Sequence, residues 1–324
     1  SWYWMPSVFE RFFADFNCKP SDFYQLELLD PSFDMVFEED TLRVPSAYPE
    51  LCQLFESIEK GSSGRLDRFM REAQFKYEIG MEKLVYRPGL SLAEFMDAAF
   101  LKRALRLQVF SSFSKHVQGY FSHPRLIALM EFPVLFLGAM PQQTPALYSL
   151  MNYAGLKLGT WYPMGGFGSV VDGMQRLASS QGARFYFNTP VEKILAKNGL
   201  VEGIRVNGDD LPFDSVLATA DYHHVEDKLL PPSYRNYSNT YWSKKVFAPS
   251  CLIFYLGVRK RVGLQHHTLF FEEDLATHAR DIYKNPRWPE RPLFYACCPS
   301  RTDPAVAPPG HENLFLLMPV AAGI

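Results

Sequence analysis

Charge of one sign, cysteine and long apolar runs are all scarce in this chain of 324 residues. Lys and Arg number 33 against 35 Asp and Glu, a formal net charge of −2, with no basic patch behind it. That excludes nucleic acid as the main partner. Five cysteines (Cys18, Cys52, Cys251, Cys297 and Cys298) are odd in number and lack C-x-x-C or zinc-ligand spacing. They read as reduced, buried thiols of a cytoplasmic protein. Cys297 and Cys298 adjoin in a strand-like run, so they point to opposite faces and do not make a redox pair. The most apolar stretch, residues 126–140, is interrupted by Glu131 and Pro133 and is shorter than the ~20 residues a bilayer span needs. It suits a membrane interface, the mouth of an apolar cavity or a buried helix.

Catalytic signatures are equally sparse. There is no Ser/His/Asp set, no phosphate-cradling Gly turn and no metal constellation. Tyr222-His223-His224-Val225-Glu226 packs two His and a Glu together, but not at the i, i+4 spacing that puts ligands on one helical face. His266-His267 fails the same test, so no metal is expected. What the chain does have is apolar bulk: 47% hydrophobic residues and 15% aromatics, including 27 Phe and 17 Tyr. Either a large core or a ring-lined tunnel accounts for them.

The stretch 161–221 organises the rest. Gly165, Gly166 and Gly168 precede a run in which Val170, Val171, Met174, Leu177 and Ala178 recur at helical spacing. Asn198-Gly199 and Asn207-Gly208 are two-residue turn signals between β-branched runs, which predicts a β-meander. Ser215-Val216-Leu217-Ala218-Thr219-Ala220 predicts a short buried strand ending at Asp221, the kind of strand end where ligands sit in α/β sheets. Before this block the pattern predicts short strands over 23–29, 35–37 and 41–44, then mainly helices to 155. After it come strands over 251–258, 268–271, 293–298 and 314–320, with one helix over 275–283. Ser7 is a candidate N-cap for a helix carrying Val8, Phe9, Phe12, Phe13 and Phe16. Ser91-Leu92-Ala93-Glu94 is a capping box, and Glu94 and Asp97 share a face of the helix it opens. They are either proton-transfer carboxylates or, as the stronger reading, a cap and a first-turn acid. Glu131, alone in an apolar run, has either a raised pKa with a chemical role or an ion pair, with Arg125 the candidate partner. The chain thus reads as α/β, of mixed α+β character.

Pro163-x-Gly165-Gly166, Gly182-Ala183 and Thr189-Pro190-Val191-Glu192-Lys193-Ile194 resemble the central block of the flavin-dependent amine-oxidase superfamily. Within it the sequence is most similar to the bacterial-type phytoene desaturases, the FAD-binding carotenoid desaturases. Trp2-Tyr3-Trp4-Met5-Pro6, Glu131-Phe132-Pro133-Val134-Leu135-Phe136-Leu137-Gly138-Ala139, Ala220-Asp221-Tyr222-His223-His224 and Ala248-Pro249-Ser250 match as well. The family's opening G-x-G-x-x-G strand–turn and its closing Gly/Pro-rich flavin segment have no counterpart here, so the chain reads as an internal piece of a longer protein, inactive by itself. The resemblance implies part of an FAD-binding Rossmann-like domain (161–225) between two parts of a substrate lobe (1–160 and 226–324). It implies FAD as cofactor, held in part by Val191, Ala220, Asp221, Gly165 and Gly166. It places Trp2, Tyr3, Trp4 and Met5 near flavin and substrate. The implied reaction removes a hydride and a proton from adjacent carbons of an apolar carotenoid such as phytoene, at a membrane surface, and leaves room for a homo-oligomer. Carotenoid isomerases, ketolases and a non-catalytic apolar-lipid binding protein are the alternatives.

Overall fold

A computed structural model describes residues 2–81, 85–86, 90–91, 106–271 and 275–324. In chain order its main elements are helix α1 (Pro6–Ala14), strands β1 (Leu26–Leu28), β2 (Phe33–Phe37) and β3 (Thr41–Val44), and helices α2 (Tyr48–Ile58), α3 (Ser62–Ile79), α4 (Phe113–Gln118) and α5 (Pro124–Glu131). Strand β4 (Trp161–Pro163) and helix α6 (Phe167–Ser180) follow, then strands β5 (Val191–Lys197), β6 (Leu200–Val206), β7 (Asp209–Pro212), β8 (Ser250–Val258) and β9 (His267–Phe271). Helix α7 (Leu275–Tyr283) and strands β10 (Phe294–Cys297) and β11 (Glu312–Val320) complete the series. α1 starts one residue before Ser7, because Pro6 has the φ of a first helical turn already set and needs no amide partner.

The chain forms two units, Ser1–Met174 with Ala248–Ile324, and Gln175–Phe247. These limits differ from the 160/161 and 225/226 divisions expected from sequence. The larger unit is built on a six-stranded sheet of order β3-β2-β9-β10-β11-β8. Its β2–β9 pair is parallel and the other pairs are antiparallel, so the sheet is mixed. Residues over 200 positions apart in sequence thus share one sheet, and helices close its apolar face. Phe33, Met35, Leu42 and Val44 of β2 and β3 form one core with Leu51 and Phe55 of α2 and Leu66 and Phe69 of α3. Burial of such side chains stabilises by roughly 1.5–3 kcal/mol each.

The smaller unit holds the expected meander, order β5-β6-β7. Asn198 and Gly199 (φ 52° and 79°) and Asn207 and Gly208 (φ 51° and 82°) are both left-handed pairs, the conformation two-residue hairpin turns demand. Residues 215–220 are not a strand but exposed coil, with Leu217 91% exposed. A strand exists only by pairing, and no described strand pairs with this stretch.

Candidate functional site

In the larger unit β4 runs into a turn at Gly165 and Gly166 (φ 84° and 82°), and α6 begins at Phe167. Both residues are in the left-handed region that glycine enters without steric cost. The turn is pinned from beneath by the buried Asp303, whose Oδ2 accepts hydrogen bonds from the Gly165 amide (2.7 Å) and the Tyr162 hydroxyl (3.3 Å). Burial and that carboxylate together push the Tyr162 hydroxyl well above its ordinary pKa. Above the turn opens a cavity of about 550 Å³, walled by Gly165, Gly166, Leu256, Gly257, Cys297 and Phe315 among others. That is within the ~300–1,000 Å³ typical of cofactor and small-molecule pockets. A methyl at Gly257 would meet nothing within 4 Å, so this strand leaves the space open.

Beside the cavity the sheet register assembles a buried aromatic and imidazole cluster. Cys297 on β10 lies directly across from His267 on β9, and Tyr295, two residues back, projects from the same face. The His267 Nδ1 and the Tyr295 hydroxyl are 2.6 Å apart, and the His266 Nδ1 and the Thr302 hydroxyl 2.8 Å. The Trp2 indole stacks on the His267 ring at 3.9 Å between centroids, and also packs against Phe33 and Tyr295. Burial holds both imidazoles neutral, pushing His266 down to about 3 and His267 well below its ordinary value.

The sequence-derived candidates are distributed as follows. Gly165 and Gly166 line the cavity. Trp2 reaches the His267 cluster. Tyr3 is fully buried, its hydroxyl 2.9 Å from that of Tyr24. Trp4 donates from Nε1 to Thr160 Oγ1 (2.9 Å) and packs so closely on Gly155 that a Cβ there would lie 2.8 Å from its ring. Met5 takes φ 56° ahead of α1. None of these four is among the cavity's lining residues. Val191 opens β5 in the smaller unit, 37% exposed, and Asp221 caps the helical turn after it by accepting from the His224 amide (2.8 Å). Ala220, beside it, is exposed. Glu94 and Asp97 lie outside the described residues. Arg125 does not pair with Glu131: it spans 2.6 Å to Asp40 instead, because it lies on the outer side of α5. Glu131 stays buried, its Oε1 without a partner, and burial raises its carboxyl pKa. Sequence reading overlooked Tyr162, Asp303 and Tyr295, and read Cys297 only as a buried thiol. Strand alternation would have put Tyr295 and Cys297 on one face, but only pairing could bring His267 opposite.

Residues 5–323 match the family described as flavin containing amine oxidoreductase. The chain belongs to this family. Relatives include the carotenoid 3,4-desaturase of Haloarcula japonica, 41% identical over 329 residues, covering 100% of this chain and 66% of that protein. The zeta-carotene-forming phytoene desaturase of Myxococcus xanthus is 32% identical over 321 residues, 98% of this chain and 61% of that one. The chain therefore spans somewhat less than two thirds of these relatives' length. Among solved structures it is similar to an oxidoreductase from Methanosarcina mazei, with a TM-score of 0.56, 14% identity, and coverage of 99% of this chain and 66% of that one. A Pyrococcus furiosus protein has a TM-score of 0.56 and 15% identity, covering 100% and 66%. At these identities the two structures establish the shared fold and nothing further. For a flavin, which the family's description implies, the residues fit in part. A cavity of cofactor size with an open glycine wall suits a flat ring system, whereas a dinucleotide pyrophosphate needs a G-x-G-x-x-G turn, and these 324 residues contain none.

Proposed function

We propose that this chain is the greater part of an FAD-dependent carotenoid desaturase. The observation that carries the reading is the 41% identity to a carotenoid 3,4-desaturase over the whole chain. The cavity supports it in size, with a glycine wall that leaves room for a flat ring, while a hydrocarbon offers no group to hydrogen-bond and is recognised by shape. No side chain accepts a hydride, and the flavin, when bound, supplies that acceptor. In this reading Gly165 and Gly166 let the ring approach the backbone, while Val191, Ala220 and Asp221 contact the nucleotide half. Trp2 to Met5 bound the substrate channel, and Glu94 or Asp97 takes the proton. The enzyme works at a membrane surface, where its substrate dissolves.

The test is to express the full-length gene in cells that accumulate phytoene or a later acyclic carotene. The expected outcome is a longer, coloured polyene, together with flavin absorbance in the purified protein. Colourless cells containing well-expressed, flavin-free protein would overturn the reading in favour of apolar-lipid binding. A change of isomer with no new double bond would favour isomerisation.

A further inference from the structure

The His266, His267 and Cys297 cluster has a feature that desaturation does not require. The Nε2 atoms of both imidazoles are buried and have no hydrogen-bond partner. His266 is 3% exposed, His267 and Cys297 are 0% exposed, and one ligand atom from each of the three lies within 4.8 Å of the other two. Leaving a buried polar nitrogen unpaired is unfavourable, and here two occur on adjacent residues. The opposite edge of each ring is occupied: the two Nδ1 atoms bond the Tyr295 and Thr302 hydroxyls. With each Nδ1–H donating to its hydroxyl, both Nε2 lone pairs are left free to bind. That is the pattern of a metal-ligating histidine, whose outer nitrogen is fixed by a second partner while the inner one binds.

We propose that His266 Nε2, His267 Nε2 and Cys297 Sγ form a binding site for a zinc-type divalent cation. Two imidazoles and a thiolate suit borderline-soft ions and disfavour Mg²⁺ or Ca²⁺, which take oxygen ligands. Binding makes two metal–nitrogen bonds and one metal–sulfur bond, and releases the Cys297 thiol proton to buffer. No electron is transferred. A tetrahedron with Zn–N ~2.0 Å and Zn–S ~2.3 Å has edges of roughly 3.5 Å, within reach of three residues whose ligand atoms lie within 4.8 Å of one another. Cys297 also lines the cavity, which gives the ion a way in. The Tyr295 hydroxyl, in hydrogen-bonding contact with Cys297 as well as His267, holds two of the three ligands in place. Sequence spacing misses this site because its ligands come from one strand start and the facing strand, not from one helix.

The experiment uses the intact, flavin-loaded protein, stripped with a chelator and titrated with Co²⁺ as a spectroscopic probe for Zn²⁺. The expected result is one equivalent bound, with a thiolate-to-cobalt charge-transfer band that excess Zn²⁺ abolishes. Cys297→Ser removes the band, whereas Cys251→Ser, on an exposed strand, keeps it. Tyr295→Phe weakens binding about 10–100-fold, as loss of an outer partner does. A wild-type protein with no such band, or a band that survives in Cys297→Ser, overturns the proposal. If Cys297→Ser fails to fold, alkylation of the wild-type protein followed by mass spectrometry decides instead. Zn²⁺ should slow labelling of Cys297 and leave Cys251 unchanged, and equal slowing of both, or of neither, refutes the site.

Discussion

Two buried ionisable side chains give the larger unit opposite pH signatures. Lys76 is fully buried on α3, where its ammonium donates to Gln108 Oε1, the Ala146 carbonyl and Ser149 Oγ. Burial lowers its pKa from 10.5 to about 8. Between those values the unfolded chain holds the proton and the folded one does not, so this lysine's contribution to stability rises with pH by up to about 3 kcal/mol. Chemical denaturation at pH 8 and pH 10 should therefore show a gain in the wild type that Lys76→Met lacks. Glu131 works the other way. Its raised folded pKa means that stability is complete below the unfolded value and falls as pH rises through the folded one. Glu131→Gln should be more stable than wild type at pH 8 and equal to it near pH 4, as urea midpoints would show. Gly203 is a third sensitive position. It has φ 152°, and a Cβ would lie 2.0 Å from the Leu211 carbonyl oxygen. Gly203→Ala should cost the meander about 2–4 kcal/mol, measurable as a drop in Tm of the intact protein.

At the scale of elements, two segments present apolar surface. β8 is an edge strand, paired only with β11 among the described residues, and Leu252, Ile253, Phe254, Tyr255 and Leu256 are 36–79% exposed along it. A long apolar edge invites strand pairing from another chain. Residues 1–324 produced alone should therefore self-associate, and replacing Phe254 and Tyr255 with Lys should reduce the associated fraction in sedimentation velocity. The second segment is α5 and the 3₁₀ turn after it, residues 124–137. It is too short to span a bilayer, and no described helix is long and apolar enough to do so. Leu126, Leu129 and Met130 face inward, whereas Leu137 is 38% exposed. Polar replacement of Leu137 in the full-length protein should lower its co-sedimentation with liposomes. Unchanged binding would remove this segment from any membrane contact.

For the whole molecule, the six-stranded sheet joins residues 33–44 to residues 250–320. Its parallel β2–β9 contact exists only when both ends of the chain are in place. Native-state hydrogen exchange should therefore give β2 and β9 amides the same opening free energy, and a gap above ~1 kcal/mol would show that they open separately. Much of this architecture could be read from the sequence, because local rules govern it. The Asn-Gly pairs specify their turns, and apolar runs mark β8 to β11. α7 starts and stops where its periodicity does. The family was legible too, in the ordered motifs around Pro163-x-Gly165-Gly166 and Thr189-Pro190-Val191. Where local pattern and pairing conflict, pairing decides. Residues 215–220 have a strand's composition, and no described strand pairs with them. Arg125 sits six residues from Glu131 yet bonds Asp40, because helix geometry turns the two side chains apart. The cluster of His266, His267, Tyr295 and Cys297 was beyond any reading of sequence spacing. Strand register places a residue opposite a partner 30 positions away, and nothing local encodes that distance.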